Sequence, residues 1–244
     1  MKLLIDSGNS RFKWAWLDKQ GQLNTFAIAN DHVNRVQLLN VWSVFKQPEQ
    51  ILVASVASSA LVLIVTEVVT ELWPSTQIQF IKTQTQAYGV SNAYEQADKL
   101  GVDRWLALIA THHYYPGFSC IVDCGTAVTL DVLNGEGVHQ GGLISPGLVL
   151  MKKALARDTA SLPFEKSSYP VGLATGTEAG IYNGTLYAIL GLITQVLKQH
   201  KDIEQLILTG GDAELIAQQL DAPIIGEPDL VFKGLAVIAN QQSA

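Results

Sequence analysis

Apolar and polar residues along this chain fall into short alternating runs, each closed by a glycine or a turn segment. Residues 2–6 (KLLID) make a brief apolar strand. In residues 11–17 (RFKWAWL), Phe12, Trp14 and Trp16 fall on one side and Lys13 and Ala15 on the other. That period of two, with aromatics, predicts a half-buried strand. DKQGQL then turns the chain into a third strand around LNTFAIA. The spacing further predicts a helix near 31–46, a strand at 50–55 (QILVAS), a helix at 56–72 and another strand in STQIQFIKT.

The pattern then restarts. FSCIVD (118–123) is a strand, AVTLDVL (127–133) alternates, NGEG turns, and GVHQGGLIS returns as a third strand. Helices are predicted at about 147–157 and 175–199, followed by a strand at 205–210 (QLILTG) and a helix opening near Asp212. The order strand, glycine loop, strand, turn, strand, helix, strand, helix therefore occurs twice. A repeat of this length implies duplicated lobes rather than a solenoid. The division falls at 1–114 and 115–244. No Pro- or Ser-rich linker separates the halves, which predicts that they pack closely. The alternation of strands and helices implies an α/β architecture, a mixed sheet covered by helices in each lobe.

Composition narrows the class. Of 244 residues, 48 % are hydrophobic and 16 % charged, enough for a substantial core. The formal net charge is −6 with no basic run, which argues against nucleic acid or an anionic membrane as the main partner. Only Cys120 and Cys124 are present, a reduced, cytoplasmic pattern and a poor metal signature. SALVLIVTEVVTELW is the most apolar run, but Glu67 and Glu71 interrupt it, and it is predicted to be a buried helix. MKLLID is too brief an apolar stretch for a signal peptide, so the cytoplasm is the expected location.

The chemistry concentrates in the twin loops, DSGNSRFKW and DCGTAVTLD. A single acidic-glycine turn after an apolar strand is an ordinary tight hairpin. Two copies at equivalent places admit a second reading. Gly8 and Gly125 let an anion approach the main chain, and Ser7, Asn9, Ser10 and Thr126 add neutral donors. Asp6 and Asp123 would repel phosphate directly but can hold a cation or its water shell. Two such loops facing each other could clamp an ATP tail. Neither matches GxxxxGK[ST] or a strand-to-helix GxGxxG.

These loops resemble the two phosphate motifs of the acetate and sugar kinase, actin-like superfamily. With YEQADKLGVDRWLAL, GGLISPG, TASLP, LTGGDA and PDLVFKGL, the chain more narrowly resembles the type III pantothenate kinase family, from residue 6 to about 236. LGxDR between the loops is the most discriminating piece. The resemblance implies duplicated actin-like, ribonuclease H-like lobes with the active-site cleft between them. It implies ATP-dependent phosphorylation of pantothenate to 4′-phosphopantothenate, the first step of coenzyme A biosynthesis. It also implies magnesium with ATP, a monovalent cation (potassium or ammonium) and a homodimer.

Placed on this sequence, the resemblance assigns the ATP phosphates to Asp6, Ser7, Gly8, Asn9, Ser10, Arg11, Phe12, Lys13 and Thr126. It assigns pantothenate to Tyr94, Gly101, Val102, Asp103, Arg104 and Thr177, with Asp103 as proton acceptor. It gives the monovalent cation to Asp123. The usual GADR reads GVDR here, and EAGIYNG follows Thr177 where relatives more often show an AMQSG-like stretch.

By the residues alone, Asp103 and Arg104 also suit a helix start, where an acidic side chain complements the dipole by ~0.3–1 kcal/mol. The two roles are compatible, because a helix N-terminus also receives anions. Trp14 and Trp16 read as packing residues, and His112 and His113 as a helix end. His139 and His200 stand alone in the sequence. Gly210, Gly211 and Asp212 suit a turn that admits an adenine ring, and Gly184 and Gly191 a close helix contact. Two competing activities are a kinase for another small hydroxylated substrate and a non-catalytic, ATP-binding regulatory protein.

Overall fold

Two five-stranded sheets with the same strand order account for the duplicated pattern. A computed structural model of the chain describes residues 1–56, 59–159, 162–164 and 167–241. It runs β1 (Lys2–Ser7), β2 (Arg11–Leu17), β3 (Leu23–Ala29), α1 (Arg35–Trp42), β4 (Gln50–Ser55), α2 (Ser59–Leu72), β5 (Ile78–Phe80), β6 (Gln86–Ala87), β7 (Val90–Ser91) and α3 (Val102–Tyr114). It continues β8 (Ser119–Cys124), β9 (Ala127–Leu133), β10 (His139–Pro146), α4 (Leu148–Asp158), α5 (Thr177–Gln199), β11 (Gln205–Thr209), α6 (Ala213–Ala217), β12 (Ile224–Gly226) and α7 (Leu230–Gln241). The first sheet is ordered β3-β2-β1-β4-β5 and the second β10-β9-β8-β11-β12. In each, the first three strands form an antiparallel meander and the last two add in parallel, as crossover helices require.

The residues group into two compact units, Met1–Tyr115 with Asp229–Ala244, and Pro116–Pro228. Sequence order alone assigns everything after residue 114 to the second lobe. In the structure the last helix packs in the first unit instead. Helix α7 is buried along nearly its whole length, against α3, β1 and β4. Gly234 permits this contact, since a Cβ there would overlap the backbone of Leu106.

In the first unit the strand period sorts the side chains into two layers. Leu3, Ile5, Phe12, Trp14, Trp16, Ile51 and Val53 join Leu38, Trp42, Val65, Val68, Val69 and Trp73 of α1, α2 and the segment after α2. Aromatic pairs hold this layer together: Trp16 stacks on Phe45 at 4.4 Å, and Trp42 on Trp73 at 6.1 Å. Leu4, Asp6, Lys13, Ala15, Leu52 and Ala54 occupy the alternate positions, the side of the sheet that α3 and α7 cover. The helix expected near 31–46 separates into a short 3-10 turn at Asn30–His32 and α1. Asn34 sets the new start, its side chain accepting from Gln37 N. Ala57 and Ser58 of the expected helix 56–72, and Ala160 and Ser161 of TASLP, lie outside the described residues.

In the second unit Cys120, Val122, Cys124, Val128, Leu130, Val132, Leu206 and Leu208 pack on a stripe of α5. That stripe is Tyr182, Leu186, Ile189, Ile193 and Val196, at alternating spacings of four and three, the apolar face of a helix lying on a sheet. By length and composition α5 is also apolar enough to cross a membrane, with 44 % of its most apolar window buried in the fold. On the opposite side of this sheet His139 is not alone: its Nε2 lies 2.8 Å from Asp131 Oδ1, and both are buried.

Candidate functional site

The first loop is a hairpin between β1 and β2, closed by Gly8 N donating to Arg11 O at 3.1 Å. Asn30, at the end of β3, fixes its outer edge. Asn30 Nδ2 donates to Gly8 O at 2.9 Å and Asn30 N to Ser10 O at 3.1 Å. Asn9, Ser10 and Arg11 are exposed at the tip, and Lys13 is half-buried. Ser7 Oγ is buried and makes no hydrogen bond among the described residues. Phe12 turns its side chain into the core, fully buried beside Trp14 and Trp42. Only its backbone belongs to the loop.

Asp6 ends β1 directly across from Lys13 of β2, and Lys13 Nζ stands 3.6 Å from its Oδ2. Asp6 is only 7 % exposed. Burial pushes it up to about 6; Lys13 opposes that shift and the negative charge of Asp103 adds to it. Asp6 and Asp103 therefore feel each other's charge. Chain order separates them, and the sheet and α3 bring them into one neighbourhood.

Asp103 lies in the first turn of α3, whose N-cap is Gly101. Its Oδ1 accepts from Arg104 N at 2.8 Å, which points the carboxylate back over the helix start. A Cβ at Gly101 would stand 2.5 Å from that oxygen. The glycine thus makes room for the carboxylate. Arg104 is buried, and its Nη1 donates to Tyr94 Oη at 2.7 Å, with the guanidinium carbon 5.4 Å from the ring centre. Val102 is buried, leaving its backbone at the helix N-terminus. Asp6, Lys13, Tyr94, Gly101, Asp103 and Arg104 all belong to the first unit.

The remaining sequence-predicted residues belong to the second unit. Its hairpin between β8 and β9 is one residue tighter, closed by Gly125 N donating to Ala127 O at 3.2 Å. Asp123 occupies the position on β8 that Asp6 occupies on β1, with Thr129 across from it where Lys13 stands. Thr126 is exposed at the tip, and Thr177 is exposed at the first position of α5. Two glycines support this loop. Gly147 N donates to Thr126 O at 2.9 Å, and a Cβ on Gly147 would overlap Gly125 O. Gly210, at φ +93°, has its α carbon against Asp123 Oδ1 and the Cys124 backbone, a place where only glycine fits. Asp212 N donates to Cys124 O at 3.0 Å. Burial, then the charges of Asp123 and Asp212, push the Cys124 thiol up to about 12, so it stays a neutral core group.

Sequence reasoning passes over two residues of the first unit, Asn30 and Asn92. Asn30 holds the first loop as described. Asn92 precedes Tyr94 by two, and its side chain accepts from Tyr94 N at 3.0 Å. The readable signal is an Asn two residues before a candidate ligand in a segment poor in regular structure.

A profile of the type III pantothenate kinase family matches residues 2–199. A type III pantothenate kinase from Nitrosococcus oceani is 39 % identical over 100 % of this chain and 95 % of its own length. Among solved structures, a conserved putative Baf family transcriptional activator from Campylobacter jejuni superposes with a TM-score of 0.64 at 24 % identity, covering 99 % of this chain and 100 % of that one. A putative 2-dehydro-3-deoxygalactonokinase from Sinorhizobium meliloti gives 0.59 at 11 % identity and 99 % coverage of both. At those identities the likeness speaks for the fold, that of actin-like ATPases and sugar kinases.

Proposed function

This chain belongs to the type III pantothenate kinase family, and from that premise we propose how its residues carry out the ATP-dependent phosphorylation of pantothenate to 4′-phosphopantothenate, the first step of coenzyme A biosynthesis. The observation that supports the reading is the Asp103 carboxylate held at the start of α3, its Oδ1 accepting from Arg104 N at 2.8 Å, beside an Arg104 whose Nη1 donates to Tyr94 Oη at 2.7 Å. The acid at the start of α3 sits within the charge field of the acid that leads into the first loop.

The exposed tip residues Asn9, Ser10 and Arg11, with Lys13 and the backbone of Ser7, Gly8 and Phe12, receive the ATP phosphates. The family resemblance makes Thr126, exposed on the second hairpin, a further candidate for the ATP phosphates. Asp6 fits the divalent ion that travels with ATP, since a hard carboxylate oxygen at the loop base suits it and the adjacent Ser7 hydroxyl has an unused lone pair. That ion spreads the charge that develops on the transferred phosphoryl group.

Pantothenate meets Tyr94, Gly101, Val102, Asp103 and Arg104 of the first unit, and the family resemblance makes Thr177 a further candidate contact. Its carboxylate is the partner for Arg104, which Tyr94 orients. Its primary hydroxyl faces Asp103. As the hydroxyl oxygen bonds to the γ-phosphorus, the bond from phosphorus to the β–γ bridging oxygen breaks and ADP departs. The hydroxyl proton passes to Asp103. An ordinary carboxylate (pKa ~3.9) is a weak base for an alcohol, yet in a loose transition state the proton leaves late. Position counts for more than basicity there.

Asp123, in contact with Gly210 and beside the Cys124 carbonyl, offers hard oxygen donors that fit a monovalent cation, potassium or ammonium. The enzyme works in the cytoplasm as a homodimer. The exposed apolar residues Leu143, Ile144, Val149, Leu150 and Tyr187 of β10, α4 and α5 support a partner surface on the second unit.

The deciding experiment follows pantothenate-dependent ADP release by Asp103→Asn. General-base removal lowers kcat by roughly 100- to 10,000-fold, while ATP binding stays within about two-fold. Near-native turnover would take Asp103 out of the mechanism.

A further inference from the structure

The segment between β5 and α3 carries Tyr94 but has little regular structure to hold it. It contains one hairpin, β6–β7, turned by Tyr88 at φ +55° and Gly89 at φ +80°, and a 3-10 turn at Ala97–Lys99. Positive φ at both turn positions marks the tight two-residue type that matches strand twist. A residue in such a segment is held by whichever side chains bond across it.

Asn92 bonds in three directions. Its Oδ1 accepts from Tyr94 N at 3.0 Å. Its Nδ2 donates to Ala97 O at 3.2 Å and to Gln84 O at 3.4 Å. Its own N donates to Thr85 O at 2.9 Å. Two carbonyls on one side and an N–H on the other leave no ambiguity about which way the amide points. The ties continue into the helix start. Ala97 O also accepts from Leu100 N at 3.2 Å, and Leu100 O accepts from Thr83 Oγ1 at 2.9 Å. Gly101 and Asp103 follow directly. At the other end, the His112 ring rests on the Gly89 α carbon, where a Cβ would come within 2.7 Å, so the hairpin tip leans on the last turn of α3.

Tyr94 in turn accepts from Arg104. The bonds thus run Asn92 to Tyr94 to Arg104, and α3 carries both Arg104 and the His112 that braces the hairpin. We infer that Asn92 is a positioning residue for pantothenate binding, acting through Tyr94. This rests on Tyr94 and Arg104 being pantothenate contacts, as proposed above. The side-chain bonds of Asn92 all close within its own segment, so it orders the ligand-bearing tyrosine rather than meeting substrate.

Steady-state kinetics of the full chain test this with Asn92→Ala, Asn92→Asp, Tyr94→Ala and the double variant Asn92→Ala/Tyr94→Ala. Asn92→Ala raises the KM for pantothenate by roughly ten-fold, with kcat and the KM for ATP within about two-fold, the mark of lost uniform binding. Asn92→Asp keeps the acceptor for Tyr94 N and loses the two donated bonds, so its effect is smaller, about three-fold. In the double variant the KM matches that of Tyr94→Ala alone within about two-fold, because the first residue acts through the second. Multiplied effects in the double variant, or a normal pantothenate KM in Asn92→Ala alongside a raised one in Tyr94→Ala, overturn the role of Asn92 and leave the Tyr94 contact standing. A normal pantothenate KM in Tyr94→Ala overturns the contact itself, and the inference with it. A lowered melting temperature with losses spread equally over both substrates, in both Asn92 variants, assigns the residue to general stability and also overturns it.

Discussion

The carboxylate of Asp103 leans on the α carbon of Gly101, two residues before it, so closely that a Cβ there would stand 2.5 Å from Oδ1. Gly101 has φ −55° and ψ 139°, a conformation that alanine adopts without strain. Gly101→Ala is therefore expected to fold normally and to push the carboxylate aside. A misplacement of about 1 Å can cost on the order of 100-fold in rate. The expected result is a 10- to 100-fold drop in kcat, roughly, with a melting temperature near native. Unchanged kcat would show that the position of the carboxylate is not critical.

Gly234 makes the opposite case. Its α carbon faces the backbone of Leu106 in α3, and backbone cannot swing aside as a carboxylate can. Gly234→Ala should push α7 off α3 and destabilise the first unit by about 1–3 kcal/mol. Urea denaturation measures this directly. A midpoint at or above that of the parent chain would mean the two helices separate at little cost.

Asp6 ties stability to pH. Its carboxyl titrates near 6 when folded and near ~3.9 when unfolded. The native state therefore binds more protons between those values. Stability falls as pH rises through about 4 to 6 and levels off above. Asp6→Asn removes that slope. On acidification from pH 7 to 4.5 the parent chain should gain on the variant by an order of 2 kcal/mol. Parallel stability curves for the two proteins would contradict a raised Asp6. The variant should also lose ATP turnover, so the buried charge is retained at a cost in stability for the sake of the site.

Potassium provides a fourth test. If Asp123 holds the monovalent cation, exchanging potassium for sodium lowers the rate more than about ten-fold, equivalent to about 1.4 kcal/mol of barrier. In Asp123→Ala the response to potassium disappears. A parent enzyme indifferent to the exchange would remove the cation from Asp123.

How far the sequence could be read depended on whether a feature is local. The hairpins at Asp6 and Asp123 were legible because strand period, acid and glycine lie within a few residues of one another. The same holds for β2, where Phe12, Trp14 and Trp16 alternate with Lys13. That alternation also places Phe12 in the core, since a side chain in phase with Trp14 belongs there. The start of α3 was legible from Asp103 and its neighbours. Helix α7 was not, since a helix buried all round has no polar face to mark its period.

The sequence by itself determined the two sheets, their duplication and the chemical groups on each loop, because strand period and turn chemistry act between near neighbours. Tertiary structure decided the company those groups keep. It set Asp6 in the field of Asp103, gave His139 its Asp131, placed α7 with the first unit and made Asn92 the tie that holds Tyr94. Each is a contact between groups that chain order or backbone direction separates, and burial and hydrogen-bond geometry come to exist only once the chain has closed on itself.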